Sequence, residues 1–381
     1  MKNKHPQLLP LTVYGLVFFL GIEAGGFQLV LLNVASDFAA GAAVMGLLVS
    51  VQFSAITIAP LCFGWLSDRV GKKRVLLFFM PVFTGGCFLA ACSNSPGFFI
   101  SGVFLLGIGY SVCECVGTSA LSDSFPGSEK KYLNIMQCAF SLGAVISPQL
   151  FSRLIFTGVF TWRLVFLVSG CGYVLLYPFM LTAECRRPVL PGGSPKKPAV
   201  MRLFGSRFFI ALLVSMLAYV AMETGAAYFA DSLFVWEYDN AKLGAYAISS
   251  YWLAMAVSRF LFAWIKMRPR IQILLGFASS GLLFIMLLLF KNQWVQLGIF
   301  AALGAMMGSV WPMIVGIGTS TYREMSGTVA SILMAAGGFG GALIPVLIGS
   351  MAEHAELYHG FGLLAVIAMT GYGFMKFLGK P

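Results

Sequence analysis

The chain has 381 residues, of which 59% are hydrophobic and only 10% are charged. Soluble domains carry ~25% charged residues, so this composition excludes a water-soluble globule and predicts a polytopic membrane protein. The net charge of +11 could suggest a nucleic-acid partner, but its distribution along the chain argues otherwise.

Twelve apolar stretches are each close to the ~20 residues that a bilayer-spanning helix needs. Their length and their lack of alternation favour helices over the strands of a barrel, so the predicted fold class is all-α. The predicted spans are 11–36, 43–67, 74–92, 97–123, 132–157, 161–183, 206–235, 240–265, 270–290, 294–320, 328–352 and 358–379.

The basic residues predict the orientation of these spans. If the amino terminus is cytoplasmic, twenty of the 25 Lys and Arg residues fall on the cytoplasmic side, which is the positive-inside bias. We therefore expect a multi-pass protein of a cell membrane, the bacterial inner membrane, with both termini cytoplasmic and the lipid bilayer, not nucleic acid, as its partner. The first apolar run is longer than the ~7–15 residues of a signal peptide, so we expect an uncleaved first helix. Most of the eight cysteines lie in apolar runs, and neither a disulfide framework nor a metal site is expected.

The first span carries an ionisable residue, Glu23, about halfway along its length. Inserting an acidic side chain at that depth costs roughly 2.5 to 3.5 kcal/mol on insertion scales, so we interpret Glu23 as a functional residue. Glu223 lies at a matching place in the seventh span, 200 residues later. Gln28, further along the first span, is a candidate substrate ligand.

Proline, glycine and lysine residues concentrate between the sixth and seventh spans and mark residues 185–205 as a cytoplasmic linker. The linker separates a predicted N-terminal six-helix bundle, residues 1–184, from a C-terminal six-helix bundle, residues 206–381.

The two predicted bundles share residues at a nearly constant offset. Pro148 and Pro345 are 197 residues apart, and Trp65 and Trp264 are 199 residues apart. With the two glutamates, these matches indicate a duplication, so we expect the bundles to be pseudo-symmetric.

The loop between the second and third spans reads GWLSDRVGKKR over residues 64–74. Its two glycines permit a sharp turn, and Asp68 can bond to helix termini and to bases. The simpler interpretation is a positively charged loop with a turn. The pattern resembles the signature loop of the major facilitator superfamily, G-x-L-x-D-R-x-G-R-K, with Lys72 in place of the first Arg.

This resemblance implies a twelve-helix fold of two six-helix bundles, in which the loop acts in conformational switching and not in binding. The equivalent loop of the second half, residues 266–270, lacks the Asp and the glycines. The residues assigned to the switch loop are Gly64, Asp68, Arg69, Gly71, Lys72 and Lys73.

In the fourth span a glycine-rich stretch leads into Glu114, near mid-membrane. This arrangement is similar to that of the fucose/galactose/glucose proton symporter branch of the superfamily, which also has an essential carboxylate in its first helix, where Glu23 stands. The resemblance implies that Glu114 binds sugar or proton.

In the fifth span Asn134, Gln137 and Ser141 share one helix face at i, i+3 and i+7. Amides donate and accept hydrogen bonds at once, so this stripe suits a neutral, hydroxyl-rich ligand. Hydrogen bonding between helices explains the same stripe equally well.

Four residues of the second half are further candidates for substrate contact, and a fifth is the base Arg259. Arg259 lies well inside the eighth span and should have a carboxylate partner or face water. Pro312 should free a backbone carbonyl in the tenth span, which makes its neighbour Trp311 the tryptophan best placed to meet a substrate. The other three are Tyr228, Tyr251 and Trp252.

Three carboxyl groups near mid-depth and a single intramembrane base predict that at least one carboxyl group takes up a proton. The hypothesis is proton-coupled symport by alternating access: uptake of a small polar organic solute, with a monosaccharide or related compound expected. A monomer without a cofactor is expected, with the proton as the coupling ion and sodium left open. The proton-coupling candidates are Glu23, Glu114 and Glu223, and the substrate-binding candidates are Glu114, Gln28, Asn134, Gln137, Tyr228, Tyr251, Trp252, Arg259 and Trp311.

The main alternative is a proton-driven antiporter that exports cationic or amphipathic drugs, since a negative, aromatic-lined cavity suits such compounds too. The signatures of many drug antiporters are missing, because the fourth span has no arginine and the fifth lacks the later glycine pair. A membrane enzyme is disfavoured because the sequence has no nucleophile elbow, phosphate loop or metal motif.

Overall fold

The computed structural model describes residues 8–38, 42–156, 161–185, 203–354 and 356–378. Within these ranges the chain forms thirteen α-helices and one short 3-10 helix, and no β-strand. The predicted all-α class is confirmed.

Six helices lie in the first half: α1 (Leu8–Asp37), α2 (Ala42–Val70), α3 (Lys72–Ala91), α4 (Pro96–Ser124), α5 (Glu129–Phe156) and α6 (Arg163–Thr182). Seven follow in the second half: α7 (Arg207–Tyr238), α8 (Ala241–Phe262), α9 (Pro269–Leu289), α10 (Gln293–Met307), α11 (Val310–Thr321), α12 (Ser326–His354) and α13 (Leu357–Phe377). The 3-10 helix, Arg323–Met325, precedes α12.

Nine helical stretches of the described chain are long and apolar enough to cross a bilayer. One of them, Gln293–Thr321, contains both α10 and α11, and the helices α2, α5 and α8 do not reach that limit over their described residues. Eleven of the twelve predicted spans correspond to one helix each. The protein is therefore a multi-pass membrane protein.

The helices form two compact units. The first contains Met1–Val189 together with Arg323–Ser331, and the second contains Leu190–Tyr322 and Ile332–Pro381. The 3-10 helix and the start of α12 thus belong to the first unit. Most of the predicted linker, residues 185–205, lies outside the described residues, so the predicted bundle boundaries stay a prediction.

Helix packing within the first unit is repeated within the second. In the first unit α6 contacts α1 and α3, and α4 contacts α2 and α3. In the second, α13 contacts α7 and α9, and α10 contacts α8 and α9. A Cβ atom on Gly143 would meet the carbonyl oxygen of Phe18, as one on Gly340 would meet that of Leu217. These pairs keep the offsets of 197 and 199 residues, so the duplication extends to the packing.

The tenth predicted span differs from the prediction because it is two helices. α10 ends at Met307 and α11 begins at Val310, and the two residues between them keep right-handed helical backbone angles, with φ of −51° at Gly308 and −86° at Ser309. Pro312 has no N–H and cannot donate to the carbonyl of Gly308, four residues earlier, so the helical hydrogen-bond ladder is interrupted here.

Candidate functional site

Glu23 is fully enclosed within the first unit, with 0% of its surface exposed. α1 carries this residue, and α2 brings Gln52 beside it. The Nε2 atom of Gln52 donates to Oε1 and Oε2 of Glu23 at 3.1 and 3.2 Å. Among the described side chains, Gln52 alone hydrogen-bonds to this carboxyl group. Sequence reasoning did not select Gln52, because one amide in an apolar span does not reveal which residue it faces.

Glu114 of α4 is half-buried and has an amide partner from α5. Gln137 Nε2 donates to Glu114 Oε1 at 3.0 Å, so one member of the predicted polar stripe reaches a carboxyl group. The other two bond to the backbone of their own helix. Asn134 Nδ2 donates to the carbonyl of Lys130 at 2.8 Å, and Ser141 Oγ donates to the carbonyl of Gln137 at 3.1 Å.

The second unit contains a cluster of Tyr219, Glu223 and Arg259. Tyr219 Oη donates to Glu223 Oε1 at 2.6 Å, and Arg259 Nη2 lies 3.2 Å from that same carboxylate oxygen. Arg259 is 2% exposed, whereas the Glu223 side chain is 17% exposed. The prediction that Arg259 has a carboxylate partner or faces water is confirmed by this ion pair.

The carbonyl that Pro312 was expected to free is that of Gly308, and Arg259 hydrogen-bonds to it. Arg259 Nε donates to Gly308 O at 3.0 Å. Trp311, next to the proline, is 6% exposed and is therefore largely covered by protein.

The remaining aromatic candidates differ in their exposure. Tyr251 is fully buried, and its hydroxyl lies 3.8 Å from the sulfur of Met307. Trp252 is half-buried and meets the Tyr251 ring edge to face, while Tyr228 on α7 is 36% exposed. The side chain of Gln28 lies outside the described part of the chain.

The signature loop is shorter than expected, because the turn consists of Gly71 alone, between α2 and α3. Gly71 has φ of 99°, a left-handed conformation that L side chains rarely adopt. The expectation that both glycines form the turn is wrong for Gly64, which lies inside α2. A Cβ atom on Gly64 would occupy the space of the Ser331 side chain, so this glycine permits close approach of α12.

Asp68 caps the start of α12. Its carboxylate accepts from the backbone N–H groups of Gly327 and Thr328 at 3.0 and 2.9 Å, and from Thr328 Oγ1 at 2.9 Å. Lys72 Nζ lies 3.3 Å from the same carboxylate. Negatively charged hydrogen-bond acceptors are favourable at a helix N-terminus. The predicted contact of Asp68 with a helix terminus is therefore present.

Asp123, at the end of α4, extends this network. Lys72 Nζ lies 2.6 Å from Asp123 Oδ2, and Ser326 Oγ donates to the same oxygen at 3.0 Å. Sequence reasoning missed Asp123, although an acid at the end of an apolar span, three residues before the turn at Pro126 and Gly127, is a usable signal. Lys73 donates to the carbonyls of Leu181 and Ala183, both at 2.7 Å, at the end of α6.

Burial and bonding therefore divide the switch-loop residues. Gly64 and Asp68 contact the segment 323–331, Lys72 bonds to Asp68 and Asp123, and Gly71 makes the turn. Arg69 is exposed and stacks on the Trp65 ring, with 4.6 Å between its guanidinium carbon and the ring centroid.

The 4-hydroxybenzoate transporter PcaK of Acinetobacter baylyi is 27% identical over 51% of this chain, and the match spans only 43% of PcaK itself. The glucose/mannose transporter GlcP of Bacillus subtilis is 22% identical over 84% of this chain and 81% of its own length. The solved structure of the E. coli fucose:proton symporter FucP covers 98% of both chains with a TM-score of 0.80 at 16% identity, which shows a shared fold. The sequence profile of the Major Facilitator Superfamily matches residues 13–345, and with the helical architecture and signature loop described above it establishes that the chain belongs to this superfamily of transporters.

Proposed function

We propose that the protein is a proton-coupled symporter that takes up a small polar organic solute, a monosaccharide or related compound, by alternating access. The observation that carries the proposal is the environment of Glu23. Glu223 and Asp123, two other largely enclosed carboxylates of the described chain, each have a base within 3.2 Å. Glu23, in contrast, is fully enclosed beside the neutral amide of Gln52. Burying an unpaired charge is costly, so a proton on Glu23 is the inexpensive route to neutrality.

The amide partner of Glu23 suits a group that gains and loses a proton. A carboxylate only accepts hydrogen bonds, whereas a carboxylic acid also donates one. Gln52 presents N–H donors to the anion and, after rotation of its amide, a carbonyl oxygen to the acid. Both forms of Glu23 can thus be hydrogen-bonded.

Glu114 and Gln137 support the solute class. Their carboxyl and amide groups offer donors and acceptors together, which is the chemistry that recognises sugar hydroxyl groups. Because Glu114 is half-buried, it is better placed than Glu23 to meet a solute. The printed names of GlcP and FucP, a glucose/mannose transporter and a fucose:proton symporter, favour the same class.

We further propose that the protein is a monomer in a bacterial inner membrane. Both termini lie in the cytoplasm, as the positive-inside bias favours. No cofactor is required, because the proton gradient drives transport. Glu223 is the third proposed proton-coupling residue, and Asp68 is proposed to stabilise one conformational state.

The experiment is uptake of radiolabelled sugars by liposomes that contain the purified protein, under an imposed pH gradient. A preceding thermal-shift screen of sugars, amino acids, nucleosides and cationic drugs selects the solute, because a ligand that binds only the native state raises its apparent stability. Wild type is compared with Glu23→Gln and Glu114→Gln. The matched control is Glu356→Gln, which makes the same chemical change at a carboxylate that is 65% exposed.

We expect the wild type and the control to accumulate solute when the outside is acidic. Glu23→Gln should exchange solute across the membrane without accumulating it, because binding is retained and coupling is lost. Glu114→Gln should lose both. Unchanged accumulation in both variants would refute the proposal, accumulation driven by sodium alone would reassign the coupling ion, and export of lipophilic cations would favour the antiporter alternative.

A further inference from the structure

The break between α10 and α11 needs hydrogen-bond donors from outside the helix. Pro312 cannot donate to the carbonyl of Gly308, and an unsatisfied carbonyl inside a membrane span is costly. Two consecutive residues of α8 supply the donors. Arg259 Nε donates to Gly308 O at 3.0 Å, and Ser258 Oγ donates to the carbonyl of Ala305.

Arg259 is itself held from its other side. Its Nη2 atom lies 3.2 Å from Glu223 Oε1 and donates to Tyr219 Oη, also at 3.2 Å. The guanidinium group is planar and rigid, so a shift at the Glu223 contact displaces the contact with Gly308. One buried side chain therefore joins a carboxylate on α7 to the break.

The first unit provides an internal comparison, because its second and fourth helices meet in the same way. A Cβ atom on Gly107 would lie against the carbonyl oxygen of Gln52, as one on Gly304 would lie against that of Tyr251. These contacts keep the offsets of 197 and 199 residues, so α4 is the equivalent of α10 and α11.

The equivalent positions differ where the break occurs. At the same offsets, Pro60 stands in place of Arg259 and Ser111 in place of Gly308. α4 runs without interruption over Pro96–Ser124. The break and the arginine that satisfies it thus occur together in one repeat and are both missing from the equivalent place in the other.

We propose that Arg259 is a positioning residue that transmits the charge of Glu223 to the helix break at Gly308 and Ser309, so that neutralising Glu223 loosens the break. A neutral Glu223 no longer orients the rigid, buried guanidinium by its charge, so the side chain is held less firmly and its bond to Gly308 weakens. The inference rests on the proposed function in one respect: Glu223 is one of the residues proposed to couple transport to protons.

The groups that face Glu223 are Tyr219 from α7 and Arg259 and Tyr251 from α8. The helices α10 and α11 contain no titratable side chain. Arg259 is accordingly the one cation among the described groups around this carboxylate.

The test is amide hydrogen exchange, followed by mass spectrometry on the full-length protein in nanodiscs, for a peptide covering residues 305–312. The equivalent peptide of α4, residues 108–115, serves as the internal reference. Glu223→Gln and Arg259→Gln are measured alone and together, and Tyr219→Phe is a milder third variant that removes one bond of the cluster without changing its volume much. Lys291→Gln is the control, because it removes a base that is 60% exposed.

We expect Glu223→Gln and Arg259→Gln each to raise exchange at 305–312 by about tenfold or more relative to 108–115, since breaking a buried ion pair is strongly destabilising. The double variant should exchange no faster than Arg259→Gln, because the two residues act in series. Tyr219→Phe should give a smaller rise, and Lys291→Gln none.

A normal rate at 305–312 in Glu223→Gln, with a raised rate in Arg259→Gln, would overturn the proposal, because Arg259 would then hold the break without reference to Glu223. If Glu223→Gln raises exchange throughout the chain, Tyr219→Phe decides, and an unchanged rate at 305–312 in that variant counts against the proposal. The measurement uses neither solute nor gradient, so its failure is distinguishable from a failure of the proposed transport.

Discussion

Replacing Asp68 by Ala should release the start of α12 from the first unit. The carboxylate accepts three hydrogen bonds from Gly327 and Thr328, and its side chain is only 14% exposed, so water compensates little. Removing an N-cap side chain costs ~0.5–2 kcal/mol, and charge-assisted hydrogen bonds are roughly twice as strong as neutral ones. We therefore expect the contact to lose about 2 kcal/mol of stability. This loss corresponds to a rise of about thirtyfold in the population of the released form. Lys72 keeps its partner Asp123, which limits secondary effects.

Cys115 reports this release. It is fully buried, and its sulfur lies 3.2 Å from Ser331 Oγ, so the start of α12 covers it. We expect N-ethylmaleimide to label Cys115 about thirtyfold faster in Asp68→Ala than in wild type, as followed by peptide mass spectrometry. Cys113, which is also buried, is the internal control for folding, and its labelling should stay slow.

The matched variant is Glu129→Gln, which breaks the 2.8 Å ion pair with Arg323 in the same segment. Because Arg323 is 42% exposed, this pair is expected to contribute only ~0–1 kcal/mol, which corresponds to less than about fivefold in labelling rate. Equal labelling of Cys115 in wild type and Asp68→Ala, with Cys113 protected in both, would refute the reasoning that Asp68 holds this segment.

Three further predictions concern stability and thiol chemistry. Gly143→Ala places a Cβ atom into the backbone of α1 and should lower the free energy of unfolding by about 1–3 kcal/mol, whereas Gly97→Ala meets open space and should leave the thermal midpoint unchanged. Trp162→Phe removes the 2.7 Å hydrogen bond to Asp37 and should cost about 1 kcal/mol, measured by denaturation, and an equal cost in a chain that already carries Asp37→Ala would show that the bond is not the cause. Burial raises the pKa of the Cys185 thiol to about 11, so the thiolate fraction and the maleimide rate should rise about tenfold per pH unit up to about pH 9, and a plateau near pH 8.5 would contradict this.

Much of the fold follows from the sequence because the bilayer imposes a length and a polarity on each helix. Twelve spans were predicted, eleven of them correspond to single helices, and the duplication was visible from the nearly constant offsets of prolines and tryptophans. The tenth span, which is divided into two helices, shows the limit of prediction from the sequence. Pro312 predicts that a carbonyl is freed, but whether the helix bends, breaks or stays whole depends on which donor reaches that carbonyl from another helix.

The candidate site shows the same division. The sequence determined that Glu23, Glu114 and Glu223 lie in apolar spans and that Arg259 needs a partner, because burying a charge has a known cost wherever it occurs. Only the tertiary structure decided that Glu223 is that partner and that Glu23 has an amide instead, because these contacts join side chains of different helices, 36 and 29 residues apart in the chain. Sequence spacing orders residues on one helix, but the rotation of one helix against another is set by the packing of all of them.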